Sequence, residues 1–344
     1  SIDGDVITCE FPAEDFSIET GAVPQILSVI AGNLFGLGAL KAVRLEDVTF
    51  PKSILEQFKG PKFGAEGIRK ALKRPEEPLV GTIVKPKIGL SPEKTAEYVY
   101  EAGSGGLTNS KDDETLVDQS FCPIEDRTVR VAEALDRLEE EGRMMMHAVN
   151  VSTRSDRIVE LAEKVQGWGA REIMIDVITC GYGCLQALAE DPSIKVPIHV
   201  HRTMHGAFTK DPRHGINMLV LSKLVRMVGG DALHIGTLGV GKMAAGAHDD
   251  SNLKACLGDD VPYKTVMPVC SGGVHPSLVA DIIARSGMDV QIQAGGGVAG
   301  HPGGVRAGAM AMSQAVHAAY EGIPAAEYAE SHPELRIALE RWPR

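Results

Sequence analysis

LVGTIVKPKIGLSPEKTAEYVYEAGSGGLTNSKDDE, residues 79–114, holds one full repeat of the chain's architecture. LVGTIVKPK is a β-rich run ending near Lys87, PEKTAEYVYEA has apolar residues three and four apart, and GGLTNSK is a second strand-like run ending at Lys111. Strand, helix, strand is the unit from which parallel sheets are built. The alternation continues with MMMHAVNVS around Asn150, REIMIDVITC ending at Cys180, VPIHVHR ending at Arg202, ALHIGT ending at Thr237, VMPVCSGG ending at Gly273 and VQIQAGGG ending at Gly297. EDRTVRVAEALDRLEEEG, RSDRIVELAEKVQGWG and HGINMLVLSKLVRMVGG supply helical periodicity between them. Eight such runs predict the α/β class and, within it, a closed (β/α)8 TIM barrel over residues 79–344, ending in a helical tail from 322.

Residues 1–78 read differently. VPQILSVIAGNLFGLGALKAVRLEDVTFP, residues 23–51, passes from a helical run through a Gly-Asn turn to an alternating segment, which predicts a partial α+β N-terminal domain and linker. With 344 residues, 44% of them hydrophobic, the chain has enough apolar material for a large core, which excludes general disorder. Its 46 acidic against 35 basic residues, net −11, argue against a nucleic-acid or acidic-membrane binder. Neither a membrane span nor a secretion signal is legible, so a cytoplasmic protein with six reduced cysteines is expected.

In a barrel all strand ends face one mouth, so polar residues at those ends converge however far apart they lie in sequence. Lys111, Asp112, Asp113 and Glu114 are the strongest local signal. Carboxylates there suit Mg²⁺, whereas an ammonium cannot ligate a metal. Lys111 therefore either pairs with its acids in a salt-bridged turn or reacts as a neutral amine with CO2 to become an anionic carbamate ligand. Lys85 and Lys87, two apart at the end of the first run, are expected to point the same way and to suit proton transfer. His201 and Arg202 end the fifth run, with His205 and His214 beyond, and His234 ends the sixth. Glycines 236, 239 and 241 lead to Lys242, a mobile loop cation. Ser271, Gly272 and Gly273 after the seventh run, with Gly295, Gly296 and Gly297 after the eighth, offer free backbone N–H groups to phosphate. Two anion-binding regions flanking a metal imply a doubly anionic small substrate and metal-stabilised enolate chemistry.

The strings GTIVKPKIGLSPE (81–93), GGLTNSKDDETLVDQSFCPIEDR (105–127), HVHRTMHGAF (199–208), HIGT (234–237), GVGKM (239–243), PVCSGGVHP (268–276) and QAGGGVAGHPGG (293–304) resemble the large subunit of ribulose-1,5-bisphosphate carboxylase/oxygenase, RuBisCO, in its archaeal form III type. SVIAGNLFG and KAVRLEDVTFP extend the resemblance back to about Val23. It implies that Lys111 is carbamylated by CO2, binds Mg²⁺ with Asp113 and Glu114, and abstracts the substrate's C3 proton. Lys85 would protonate the final carbanion, with Lys87 tuning it, and His201 would accept a proton during hydration. Arg202, His234 and Ser271 would hold one phosphate, Gly272, Gly273, Gly295 and Gly296 the other. Gln293 would line the substrate site, Lys242 would stabilise incoming CO2, and Asn33 would be supplied across a dimer interface. The implied substrates are ribulose 1,5-bisphosphate, CO2 and, in competition, O2; the implied assembly is a homodimer or ring of dimers without a small subunit.

Departures accompany the likeness. The Thr-Trp pair of the family's N-terminal stretch has no counterpart, since the chain's tryptophans are Trp168 and Trp342, so the closing half of the site is expected to be absent. Residues 246–266 are shorter than in relatives, and alanines 244 and 245 replace the glutamate after the loop lysine. Competing expectations are a RuBisCO-like enolase or isomerase of a sulfur-containing sugar phosphate, and a catalytically silent truncated homologue.

Overall fold

The computed structural model describes residues 1–241 and 249–344. The eight strand-like runs become β1 (Leu79–Ile83), β2 (Asn109–Lys111), β3 (Met146–Asn150), β4 (Glu172–Asp176), β5 (Ile198–His201), β6 (Ala232–Gly236), β7 (Met267–Ser271) and β8 (Gln291–Gln293). All pair in parallel, and the sheet closes where Gln291 lies opposite Leu79 and Gln293 opposite Gly81. Around it run α1 (Pro92–Ser104), α2 (Ile124–Glu140), α3 (Ile158–Gly167), α4 (Tyr182–Glu190), α5 (Met218–Val228), α6 (Asp249–Leu257), α7 (Val279–Ser286) and α8 (Gly304–Tyr320). The predicted barrel is the observed one.

Local chemistry sets the helix ends. Ser91 Oγ accepts from Lys94 N at 3.3 Å, with Pro92 in the first turn of α1. Asn217 Oδ1 accepts from Leu219 N at 3.1 Å at the start of α5, and Gly229, at φ 108°, ends it in a left-handed conformation. On α2 the buried residues Ile124, Thr128, Val131, Leu135 and Leu138 follow the helical repeat and face the barrel.

Most strands are shorter than the sequence suggests. β1 stops at Ile83, four residues before Lys87, and β4 stops at Asp176, after which Val177–Cys180 turns helical. At the mouth a run of β-forming residues loses its neighbouring ladder, and propensity without pairing does not hold a strand. Gly272 and Gly273, at φ 117° and 76°, turn the chain away directly after β7.

The opposite end is plugged. Ala65, Ile68 and Leu72 of the helix Gly64–Leu72 pack with Leu79, Met146, Ala232, Met267 and Val269. Upstream, Ile2–Asp3 pairs antiparallel with Val6–Ile7, the helical segment Ile18–Ile30 is kinked at Ala22 with Val23 and Ile26 buried, and Arg44–Leu45 pairs with Gly215–Ile216. The alternating segment expected at the end of the stretch 23–51 thus contributes only the two-residue strand Arg44–Leu45. All six cysteines are free thiols. No helix among the described residues is long and apolar enough to cross a membrane.

Asp231 ties the plug to the sheet. Its carboxyl accepts from the N–H groups of Phe63 and Gly64 at 2.8 Å each and of Ile198 at 2.9 Å, while burial pushes its pKa up to about 6. Asp231→Ala leaves three backbone donors without an acceptor and is expected to lower stability by on the order of 3 kcal/mol in urea unfolding.

Candidate active site

Alternate residues of each strand face the barrel axis, and the last inward residues form the mouth. Lys111, closing β2, is 1% exposed. Its Nζ donates to the Asp112 carbonyl at 2.8 Å and lies 3.6 Å from Glu114 Oε2. Burial draws its pKa below the ordinary lysine value, against the opposing pull of Glu114, Asp113, Asp176 and Asp112. Asp113 Oδ2 accepts from Lys85 Nζ at 2.8 Å, and its Oδ1 accepts from Thr115 Oγ1 at 2.8 Å. Burial works to raise the Asp113 pKa, but the hydrogen bonds from Lys85 and Thr115 outweigh it and hold the carboxyl below its usual range. His201 Nδ1 is 3.1 Å from Asp176 Oδ1, and its Nε2 is 3.9 Å from Glu114 Oε2. Burial and the Lys111 charge lower the His201 pKa, so the ring is neutral near pH 7.

Asp112 belongs to a different network. It is buried on the opposite face of the strand end, where Arg127 of α2 reaches it at 3.2 Å, His147 at 3.1 Å and the Asn150 N–H at 3.0 Å. Burial opposes ionisation, but Arg127 and His147 together hold the Asp112 pKa down at about 2. Arg127 also donates to the Cys122 and Val117 carbonyls, each at 2.7 Å, fastening the loop after β2 to its helix. The run Lys111–Glu114 therefore splits into a structural acid and a trio facing the mouth.

On the other side of the mouth, Ser271 Oγ lies 2.6 Å from His234 Nδ1, and the His201 and His234 rings are 4.7 Å apart between centroids. Burial pulls the Arg202 guanidinium down to about 10, against the attraction of Asp249. Gly295 leaves space for Lys85: a Cβ there would stand 3.2 Å from Lys85 Cε. Gln293 is buried with its amide unpartnered among the described residues. Lys87 is exposed in the bend after β1, because the strand ends too early for the expected alternation with Lys85 to apply. Gly296 opens the turn Gly296–Ala299. Asn33 is exposed in the turn Asn33–Gly36, and His214 contacts that N-terminal region, through Val43 N at 3.3 Å and the Phe35 ring at 5.8 Å. Lys242 and alanines 244 and 245 lie outside the described residues.

Asp176, Glu172 and His199 were not singled out in the sequence. Reading β4 through to Cys180 places Asp176 inside a strand, whereas it is the last strand residue and so a mouth position. Among the described residues no group of three or more His, Cys, Asp and Glu side chains could hold a metal ion. Asp113 and Glu114 supply two carboxylates, and the neighbour able to complete a set of oxygen donors is Lys111 once its amine is carboxylated. Such a set fits Mg²⁺.

The two adjacent aspartates separate stability from chemistry. Asp112→Ala strands a buried arginine and is expected to cost about 3–5 kcal/mol in denaturant unfolding. Asp113→Ala is expected to change stability much less than Asp112→Ala in the same denaturant unfolding.

The chain matches the model of the ribulose bisphosphate carboxylase large chain catalytic domain over residues 64–342 and that of its N-terminal domain over residues 2–54. It is 43% identical over 353 residues to a ribulose bisphosphate carboxylase of Methanocaldococcus jannaschii, covering 98% of this chain and 82% of that protein. The octameric Rubisco of Pyrococcus horikoshii in complex with sulfate superposes with a TM-score of 0.89 at 41% identity, covering 93% of this chain and 76% of that one. The dimeric archaeal Rubisco of Hyperthermus butylicus gives 0.85 at 38% identity, covering 94% and 78%. The order of the barrel, the mouth residues and these likenesses agree: the chain belongs to the ribulose bisphosphate carboxylase large chain family, in its archaeal form III type.

Proposed function

We propose that the protein carboxylates ribulose 1,5-bisphosphate, adding CO2 and water to give two molecules of 3-phosphoglycerate, with O2 as a competing substrate. The observation that carries this reading is the buried Lys111 amine beside Asp113 and Glu114, its pKa lowered by desolvation. A neutral amine is the nucleophile that CO2 requires: the nitrogen lone pair forms an N–C bond, one proton leaves, and a cation becomes an anionic oxygen ligand. The carbamate of Lys111, Asp113 and Glu114 would hold Mg²⁺, which when bound supplies positive charge against the negative charge of an enediolate.

The chain's own groups divide the remaining work. The carbamate oxygen takes the C3 proton. Lys85, held against Asp113 at 2.8 Å, delivers a proton to the product carbanion. His201 accepts a proton as water adds, a role suited to a ring that burial keeps neutral. Arg202, His234 and Ser271 engage one end of the substrate; Gly272, Gly273, Gly295 and Gly296 offer backbone N–H groups to the other, with Lys87 and Gln293 alongside. Lys242 steadies the incoming CO2. Asn33 reaches the mouth of a neighbouring copy, which makes a homodimer or a ring of dimers the working assembly. Residues 1–78 serve as the N-terminal part and linker, the helix Gly64–Leu72 closing the bottom of the barrel, and 79–344 as the catalytic barrel.

With Mg²⁺, ribulose bisphosphate and labelled bicarbonate, label is expected in phosphoglycerate, and Lys111→Met is expected to lower the rate about a thousandfold or more. Absence of label with the unaltered protein, under conditions where Lys111 is carbamylated, would sink the assignment. At constant dissolved CO2, higher pH yields more neutral amine. Carbamate trapped on Lys111 and read by mass spectrometry should therefore rise with pH, because both deprotonation of the amine and the addition itself release a proton.

A further inference from the structure

Below the mouth, a row of inward-facing side chains crosses the barrel interior. Glu172 of β4 lies with Oε1 3.5 Å from His199 Nδ1, His199 Nε2 is 2.8 Å from His234 Nε2, and His234 Nδ1 is 2.6 Å from Ser271 Oγ. Glu172 and His199 are each 0% exposed. Among the described residues, neither Glu172 oxygen has a hydrogen-bond partner, and neither has His199 Nδ1. Unpaired buried polar atoms are costly, so a carboxylate and an imidazole nitrogen left facing each other dominate one another's electrostatics.

We propose that Glu172 is a positioning residue that fixes the tautomers of His199 and His234, and through them the direction in which the Ser271 hydroxyl points. The argument is a count of protons along the row. A carboxylate at Glu172 favours N–H at His199 Nδ1. His199 Nε2 is then a lone pair, so the 2.8 Å contact between the two Nε2 atoms takes its proton from His234. Burial holds the His234 pKa well below its ordinary value, so the ring is neutral and carries that one proton only. His234 Nδ1 is consequently an acceptor, and Ser271 must donate to it across 2.6 Å. The serine oxygen then keeps its lone pairs for a hydrogen-bond donor, which at the substrate end that Arg202, His234 and Ser271 engage is a carbohydrate hydroxyl, while the phosphate there, an acceptor, falls to Arg202. Reversing the row would make the same oxygen accept from His234 and free its O–H to donate, changing which substrate group the hydroxyl engages.

The proposal rests on the carboxylase reading for its kinetic consequence but not for its structural one. With ¹⁵N-histidine-labelled protein, NMR nitrogen shifts are expected to show His199 protonated at Nδ1 and His234 at Nε2, assigned through single His→Asn variants. In Glu172→Met, His234 is expected to populate the Nδ1–H tautomer, and the KM for ribulose bisphosphate to rise about tenfold with kcat changed less than twofold. Glu172→Asp should retain the native tautomers and most of the affinity. Carbamylation of Lys111 and the unfolding midpoint serve as controls; both should be retained in Glu172→Met, since methionine has a similar length and leaves no buried carboxyl oxygen without a hydrogen-bond partner. The proposal is overturned if His234 carries its proton on Nδ1 in the unaltered protein, or if its tautomer is the same in Glu172→Met. Native tautomers in a protein that places no label in phosphoglycerate would overturn the carboxylase reading and leave this one standing.

Discussion

An amine shut away from water at the end of β2 is the constraint around which the rest of the site is arranged. Lys111 is 1% exposed and has a backbone carbonyl and a carboxylate within reach, but no bulk solvent to hydrate an ammonium. Desolvation penalises the charged form, and the surrounding acids pull the other way. The lowered pKa is the balance of the two. It leaves the nitrogen able to react while keeping oxygen donors at hand to share whatever it becomes.

That balance needs acids whose positions do not drift, and the structure anchors each differently. Asp113 is pinned by Lys85 and Thr115, and Asp176 lies against His201. Asp112, adjacent in sequence, spends its charge on Arg127 and His147, and so holds the loop rather than the ligand. The residue beside the reactive lysine is thus the foundation of the loop carrying Asp113 and Glu114. A strand end can divide neighbouring residues in this way because successive side chains point to opposite faces.

The barrel interior extends the same logic downward. In place of a uniformly apolar filling, β4, β5 and β6 contribute Glu172, His199 and His234, which link the middle of the barrel to the mouth. Further down, Leu79, Met146, Ala232, Met267 and Val269 meet the plugging helix in an ordinary hydrophobic layer. Stability and chemistry therefore occupy opposite ends of one closed sheet, as the parallel direction of its strands allows.

The alternation of strand and helix patterns, the glycine-led turns and the strand-end placement of Lys111, His201 and Ser271 were all legible from residue order, because hydrophobic periodicity and turn chemistry are local properties, whereas His234, expected to end its strand, lies in the middle of Ala232–Gly236. Strand ends were not, since they depend on where a neighbouring strand stops; for that reason Lys87 is exposed and Asp176 joins the mouth. Nor does any linear pattern reveal that Asp112 is held by Arg127 and His147, or connect Glu172 to Ser271 across 99 positions, 271 − 172. Those relations exist only once the sheet has closed. Burial then removes water, and the distances between side chains from different strands determine which acid is paired, which amine is neutral and which way a hydroxyl points.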